Sequence, residues 1–377
     1  MTKLGKMILV AGAANLAIFA ASAAGAQDGT GRGWWDSTSI SGRMYFDVSN
    51  IENKVDGVKS RAATAPNGAT SGNGANFDIK RFYVGIDHDF SSVFSANVTT
   101  DVTYDSSAGA SQLYLKKAYL QARIDPALVV RFGAADLPWV PYAEAIYGYR
   151  YLENTLIDRV KAGTSSDWGV HVLGSFFDGL LNYDFAAVNG GGYKKFPGGG
   201  NLNRFAQFDI EGRVSAVYRG FNLAVGGYTG KLATPYGVTT HHTAERLDVM
   251  AAYVAGGLRL GVEYFDATDY SAALVAASGP GDSAHGISGF GSYFFLPEWG
   301  VFGRYDRVDP NAKSAPTRRD AYYTFGITWH PTQIVDFSLA YKHEQVSHGT
   351  VSTSNGSIGG VAKGAYSEIG LFGDFQF

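Results

Sequence analysis

Tyr366-Ser-Glu-Ile-Gly-Leu-Phe-Gly-Asp-Phe-Gln-Phe377, at the C-terminal end of the 377-residue chain, alternates with a period of two. That is the spacing of a β-strand, and its outward set would be Ile369, Leu371, Gly373, Phe375 and Phe377. No hairpin partner follows it. Left unpaired, such a strand carries a row of unmade backbone hydrogen bonds, each costing several kcal/mol in lipid. The ending therefore predicts a sheet that closes by pairing its last strand with its first.

At the other terminus, Lys3 and Lys6 precede an apolar run from Met7 to Ala23 that stops at Ala24-Gly25-Ala26. A short, Ala-rich run with a small-residue exit reads as a secretory leader, residues 1–26, rather than a membrane anchor. Beyond it no apolar run is long enough for a spanning helix, although 45% of residues are hydrophobic, so strands must do any spanning. Cysteine is absent, so stability must come from the hydrogen-bonded wall rather than from disulfides. Without Lys3 and Lys6, 29 basic residues face 34 acidic ones, a net charge of −5 that argues against a nucleic-acid partner.

From residue 27 to 377 the pattern predicts one domain, an all-β transmembrane antiparallel barrel of about 16 strands. Segments of alternating polarity fall near 39–49, 77–87, 93–104, 112–124, 128–135, 167–176, 181–188, 206–218, 221–229, 245–254, 258–266, 287–296, 300–308, 320–330 and 333–344, with the closing strand from about 365. Short turns such as Asp125-Pro-Ala127, Phe177-Asp-Gly179 and Ala255-Gly-Gly257 alternate with long polar loops. Phe94, Leu247, Val249, Tyr253, Phe337, Leu339 and Tyr341 share one face, whereas Asp248, Asp336 and Lys342 share the other. A soluble sandwich would turn the polar face to bulk water; a barrel in lipid turns it inward.

Sixteen strands enclose more space than their own side chains can fill, so water occupies the middle. The segment 136–166 exceeds what a surface loop needs and carries Trp139, Tyr142, Tyr147, Tyr149, Tyr151 and Leu156, which would be wasted in solvent. Folded inward, it would form a constriction edged by Glu144, Arg150, Glu153, Asp158, Arg159 and Lys161. On the wall, Arg43, Arg81, Lys117, Arg123 and Arg131 against Asp47, Asp87 and Asp101 would make one side basic. Asp167, Asp184, Asp209, Glu211, Asp248 and Glu263 against Arg213, Arg246 and Arg259 would make the other acidic. Such a distribution either sets a field across the lumen or pairs off locally.

Three patches carry a resemblance. They are Lys80-Arg-Phe-Tyr-Val-Gly-Ile-Asp87; Leu115-Lys-Lys-Ala-Tyr119 running through Arg131-Phe-Gly133 into Asp136-Leu-Pro138; and Phe302-Gly-Arg-Tyr-Asp306 with Phe325-Gly-Ile-Thr-Trp-His-Pro331. In these the chain resembles the phosphate-selective porins O and P of Gram-negative outer membranes. The resemblance implies a sixteen-stranded pore in that membrane, usually a homotrimer. It would contact lipid, be inserted by the barrel-assembly machinery through Phe377, and pass small hydrophilic solutes or anions such as phosphate. Arg81, Lys117, Arg123, Arg131, Arg150, Arg159 and Lys161 are the basic residues expected to meet them, with Asp101, Glu144, Glu153 and Asp158 as their acidic counterparts.

Two other readings compete. A barrel hydrolase would draw on His241, His242, Ser271 and Asp248, but no Gly-x-Ser-x-Gly is present. Gly226-Gly-Tyr-Thr-Gly-Lys231 fails the phosphate-loop pattern, with Val225 and Leu232 at its required positions, so no cofactor is expected. A plugged barrel would instead use the Gly-, Ser- and Asn-rich stretches 51–76 and 345–364 as flexible binding loops.

Overall fold

The computed structural model describes residues 34–59, 72–105, 110–195, 204–205 and 207–377. The expected leader, 1–26, lies outside them, as does part of the 51–76 connection. Sixteen long strands form one antiparallel sheet: β1 Thr38–Val55, β2 Gly74–Asp89, β3 Phe94–Asp105, β4 Ala110–Asp125, β5 Leu128–Asp136, β6 Ser166–Phe176, β7 Leu181–Val188 and β8 Asp209–Tyr218 in its first half. The second half is β9 Phe221–Gly230, β10 Ala244–Ala255, β11 Leu258–Thr268, β12 Ser283–Phe294, β13 Trp299–Asp309, β14 Arg319–Thr332, β15 Val335–Thr353 and β16 Gly356–Gln376. A two-residue arm, Val58–Lys59, folds back on the end of β1.

Each strand pairs with its neighbours in the chain, and β1 pairs with both β2 and β16, from Arg43 opposite Gln376 to Val55 opposite Gly364. The sheet is closed. Gly42 and Phe377 exchange both backbone hydrogen bonds at the seam, at 2.9 and 3.0 Å. The alternation assigned to the last strand holds: Ile369, Leu371 and Phe377 are exposed, whereas Tyr366, Glu368, Phe372 and Asp374 are buried.

The same division runs round the cylinder. Val98, Leu223, Val249, Leu260, Ile327 and Leu339 are exposed on the outside, while Asp47, Asp101, Asp248, Asp306 and Lys342 are almost wholly covered within. An apolar exterior around a polar interior is the arrangement that lipid selects.

Two expectations are corrected. The twelfth strand begins four residues before the expected 287 and ends at Phe294, because Gly286, Gly289 and Gly291 blunt the alternation used to place it. The stretch 345–364 is not a flexible loop. β15 and β16 continue through it as a tall hairpin in which Val346, Val351, Ile358 and Tyr366 make a small core of their own, joined by Ile51 from an equally extended β1. Its Val, Ile and Thr residues supply the strand propensity that the Gly and Ser content obscured.

Candidate solute path

The segment between β5 and β6 turns into the barrel as expected. It contains helix α1, Val140–Tyr147, and a single turn α2, Leu156–Arg159. Trp139, Tyr147, Tyr149, Tyr151, Leu152, Leu156 and Ile157 are buried, in one cluster with Phe265, Phe290 and Phe302 from the wall. Tyr149 stacks on Phe302 at 4.6 Å and Tyr147 meets Phe290 edge-on at 5.4 Å.

An irregular segment inside a barrel must still satisfy its backbone carbonyls. Cationic side chains of the wall do this. Arg213 donates to Pro138 O, Arg246 to Ala162 O, Arg304 to Asn154 O and Lys342 to Leu152 O, at 2.6 to 3.2 Å. Arg259 donates to Ala145 O and Ile146 O, both carbonyls of the last turn of α1 that have no partner within the helix. A cation there also opposes the negative end of the helix dipole. Gly148 at φ 77 ends the helix, and a Cβ on it would collide with that guanidinium. Trp139 is held from both sides: its backbone N–H donates to Glu211 and its indole N–H to Glu263, at 3.1 and 3.0 Å. Beneath it Gly226 leaves space for the indole, since a Cβ would lie 2.6 Å from the ring. The phosphate-loop lookalike is thus strand β9 and the bed for this tryptophan.

These contacts correct two expected site residues. Arg159 does not edge the opening: it is fully buried between loop and wall, where it binds Asp306, Asp320 and Glu344 at 2.8, 2.9 and 2.8 Å. Glu153 is also behind the loop, paired with Lys342 at 3.2 Å and accepting from Ser354. Burial would raise the pKa of Glu153, but Lys342 and Ser354 outweigh it and hold the carboxyl down at about 2. Lys161 is exposed and reaches Ser352 of the tall hairpin. Four of the six acids of the expected acidic wall are likewise spent locally: Asp248 on Arg246, Glu211 on Arg246 and Trp139, Glu263 on Trp139, and Asp209 on Tyr228 and the backbone of Lys231 and Leu232. Local pairing accounts for these four, whereas Asp167 and Asp184 each keep a buried carboxylate oxygen without a hydrogen-bond partner among the described residues.

On the open side of the loop stand Glu144, Arg150 and Asp158. Arg150 contacts Glu144 at 2.6 Å and Asp158 at 3.4 Å. Burial works against its charge, yet the two carboxylates hold its pKa well above the usual value. Asp158 is pushed upward by burial despite Arg150 beside it. Across from them, the wall formed by β1 to β5 and β16 carries Arg43 on Asp374 at 2.6 Å, Arg81 on Asp101 at 2.7 Å and Lys117 on Asp136 at 2.5 Å. Arg131 donates to Gln121, and Arg123 lies further along β4 on the inward side.

Sequence reasoning missed several members. Lys116 is brought inward beside Lys117, and Lys80 beside Arg81, by β-bulges that let two consecutive residues share a face. Lys80 lies 3.3 Å from Asp47 and 3.6 Å from Glu368. Tyr193, from the connection after β7, donates to Asp101 at 2.6 Å. The hydrolase set forms no hydrogen-bonded chain among the described residues, although the backbone N–H groups of His241 and His242 donate to Val275 O in the short helix that Ser271 caps. Asp248 is in the lumen wall with Arg246, the Ser271 hydroxyl caps a short helix, and both ring nitrogens of His242 are engaged, with Asp269 at 3.5 Å and Gly279 O at 2.8 Å.

A closed sixteen-stranded barrel with a loop folded into a charged lumen is the architecture of outer-membrane porins. No protein-family model matches the chain, and no curated protein matches it in sequence. Solved structures do match in shape. The outer membrane channel DcaP of Acinetobacter baumannii is 11% identical with a TM-score of 0.62, covering 90% of this chain and 97% of that one. An anion-selective porin from Comamonas acidovorans is 12% identical with a TM-score of 0.60, covering 90% and 99%. OmpT of Vibrio cholerae in its trimer form is 11% identical with a TM-score of 0.58, covering 90% and 99%. At these identities the likeness establishes the fold.

Proposed function

We propose that the protein is an outer-membrane porin, a water-filled channel for passive diffusion of small hydrophilic solutes and ions, anions such as phosphate among them. The observation that carries this reading is the inward loop. Its apolar side is fastened to β8 to β15, and its charged side, Glu144, Arg150 and Asp158, faces Arg43, Arg81 and Lys116 across the lumen. Opposed charges at the narrowest part of a wet barrel filter solutes by charge and size. Arg81, Lys116 and Lys117 are the residues we assign to anion contact, Arg131 being buried against Gln121, and Glu144 and Asp158 limit the anion preference.

A homotrimer is implied by the sequence resemblance and supported by the trimer form recorded for the Vibrio cholerae neighbour. The exposed Phe377 is the proposed handle for the assembly machinery. Reconstitution in a planar bilayer tests the channel reading. Steady current steps are expected, with a reversal potential in a salt gradient that shifts toward cations when Lys116 is neutralised. A chain that inserts and gives no steps would instead be a plugged barrel.

A further inference from the structure

We infer that the solutes this conduit handles best are monoanions carrying a flat apolar ring, the class of aromatic monocarboxylates; the inference rests on the channel reading and adds the substrate class. Two features of the wall opposite the loop lead to it. The first is the supply of charge. Arg43, Arg81 and Lys117 are each matched by a carboxylate, whereas Lys116 has neither an ion pair nor a hydrogen bond among the described residues. Its ammonium lies over the Tyr83 ring at 4.5 Å, with Glu144 and Asp136 the carboxylates whose charge reaches it. One uncompensated cation in such company attracts one negative charge and resists a second, because a dianion would bring its other charge toward those same carboxylates.

The second feature is the rings. Tyr83 meets Tyr45 edge-on at 5.9 Å, and Tyr114, below Lys194 at 4.8 Å, meets Tyr193 edge-on at 6.5 Å. These tyrosines share the wall with the cations, so a carboxylate on Lys116 has its attached ring beside Tyr83. Aliphatic or inorganic anions use only the ammonium. Phosphate, which is partly doubly charged at neutral pH, loses the ring contact and meets the repulsion as well.

The test is block of single-channel current by benzoate, acetate and phosphate with the full-length protein in planar bilayers. Benzoate is expected to half-block at a concentration about fivefold below that of acetate, the size of one aromatic contact, with phosphate weakest. Tyr83→Phe keeps the ring and should keep the preference; Tyr83→Leu should bring benzoate to the acetate value; Lys116→Gln should weaken both. Steady steps with equal block by benzoate and acetate, or a ratio unchanged in Tyr83→Leu, would overturn the inference and leave the channel reading intact. The absence of any current steps would overturn both.

Discussion

The two halves of the lumen wall use the same residue types for different ends. Around the loop the arginines and carboxylates are committed to short-range partners: the loop's own Arg159 to three acids, the wall's Arg213, Arg246, Arg259 and Arg304 to loop carbonyls, Glu211 and Glu263 to Trp139. On β1, β2 and β4 the cations remain partly exposed: the side chains of Arg43, Lys80, Arg81 and Lys117 keep 36, 32, 23 and 27% of their surface, whereas Arg131 on β5 is buried. Charge under the loop therefore fastens it, and on the proposed channel reading the charge opposite is what solutes meet. A count of lumen charges from sequence cannot tell these apart, since both sets alternate inward on strands.

The difference can be broken most sharply at Arg159. Arg159→Met leaves Asp320 and Glu344 buried without their cation and Asp306 with Arg304 as its remaining partner, a change that costs about 3–5 kcal/mol. The expected outcome is release of the loop, seen as a larger and noisier single-channel conductance. Leu339→Arg, on the lipid face, should destabilise the barrel by about 2–4 kcal/mol in a denaturant titration in detergent or bilayer, if it lies near the membrane midplane, without altering ion selectivity. Gly226→Val presses on the Trp139 ring and should cost about 1–3 kcal/mol, with partial loop release as the readout. Lys116→Gln should leave the fold and loop unchanged in the same assays and lower the anion-to-cation permeability ratio by about twofold, the scale of one partly screened charge.

A pH titration sharpens the comparison from the side of the loop. The Glu153 carboxyl is held at about 2, below its ordinary 4.5, so the loop-docked state gains stability above 4.5 and loses it as pH falls toward 2. The part of the loop's hold that Glu153 supplies should be constant from neutrality to pH 5 and fade below about 4, seen as noisier conductance, and Glu153→Gln should remove that acid-range change while making the loop less firmly held at neutral pH. Steady conductance down to pH 2 in the parent protein would refute this role for Glu153.

Strand order, closure and the inward loop were legible in the sequence because they rest on periodicity, turn chemistry and the misplaced aromatics of 136–166. The strand ends at 345–364 were not, since Gly and Ser there masked a hairpin whose Val346, Val351 and Ile358 pack together. The site was only partly legible. Strict alternation put Lys117 in the lumen and Lys116 in lipid; a lysine facing acyl chains is costly, so the Lys116-Lys117 and Lys80-Arg81 pairs themselves signal the bulges that bring both residues inward. Arg159 could not have been placed, because the turn α2 sends it to the wall while its neighbour Asp158 faces the lumen with Arg150.

The sequence lacks cysteine, so a single thiol can be placed on the loop's open side with no competing site. In Glu144→Cys, attaching a bulky water-soluble thiol reagent during a single-channel recording should lower the current in one discrete step per subunit. Complete modification with the current unchanged would contradict the account, because the loop edge would then lie outside the solute path.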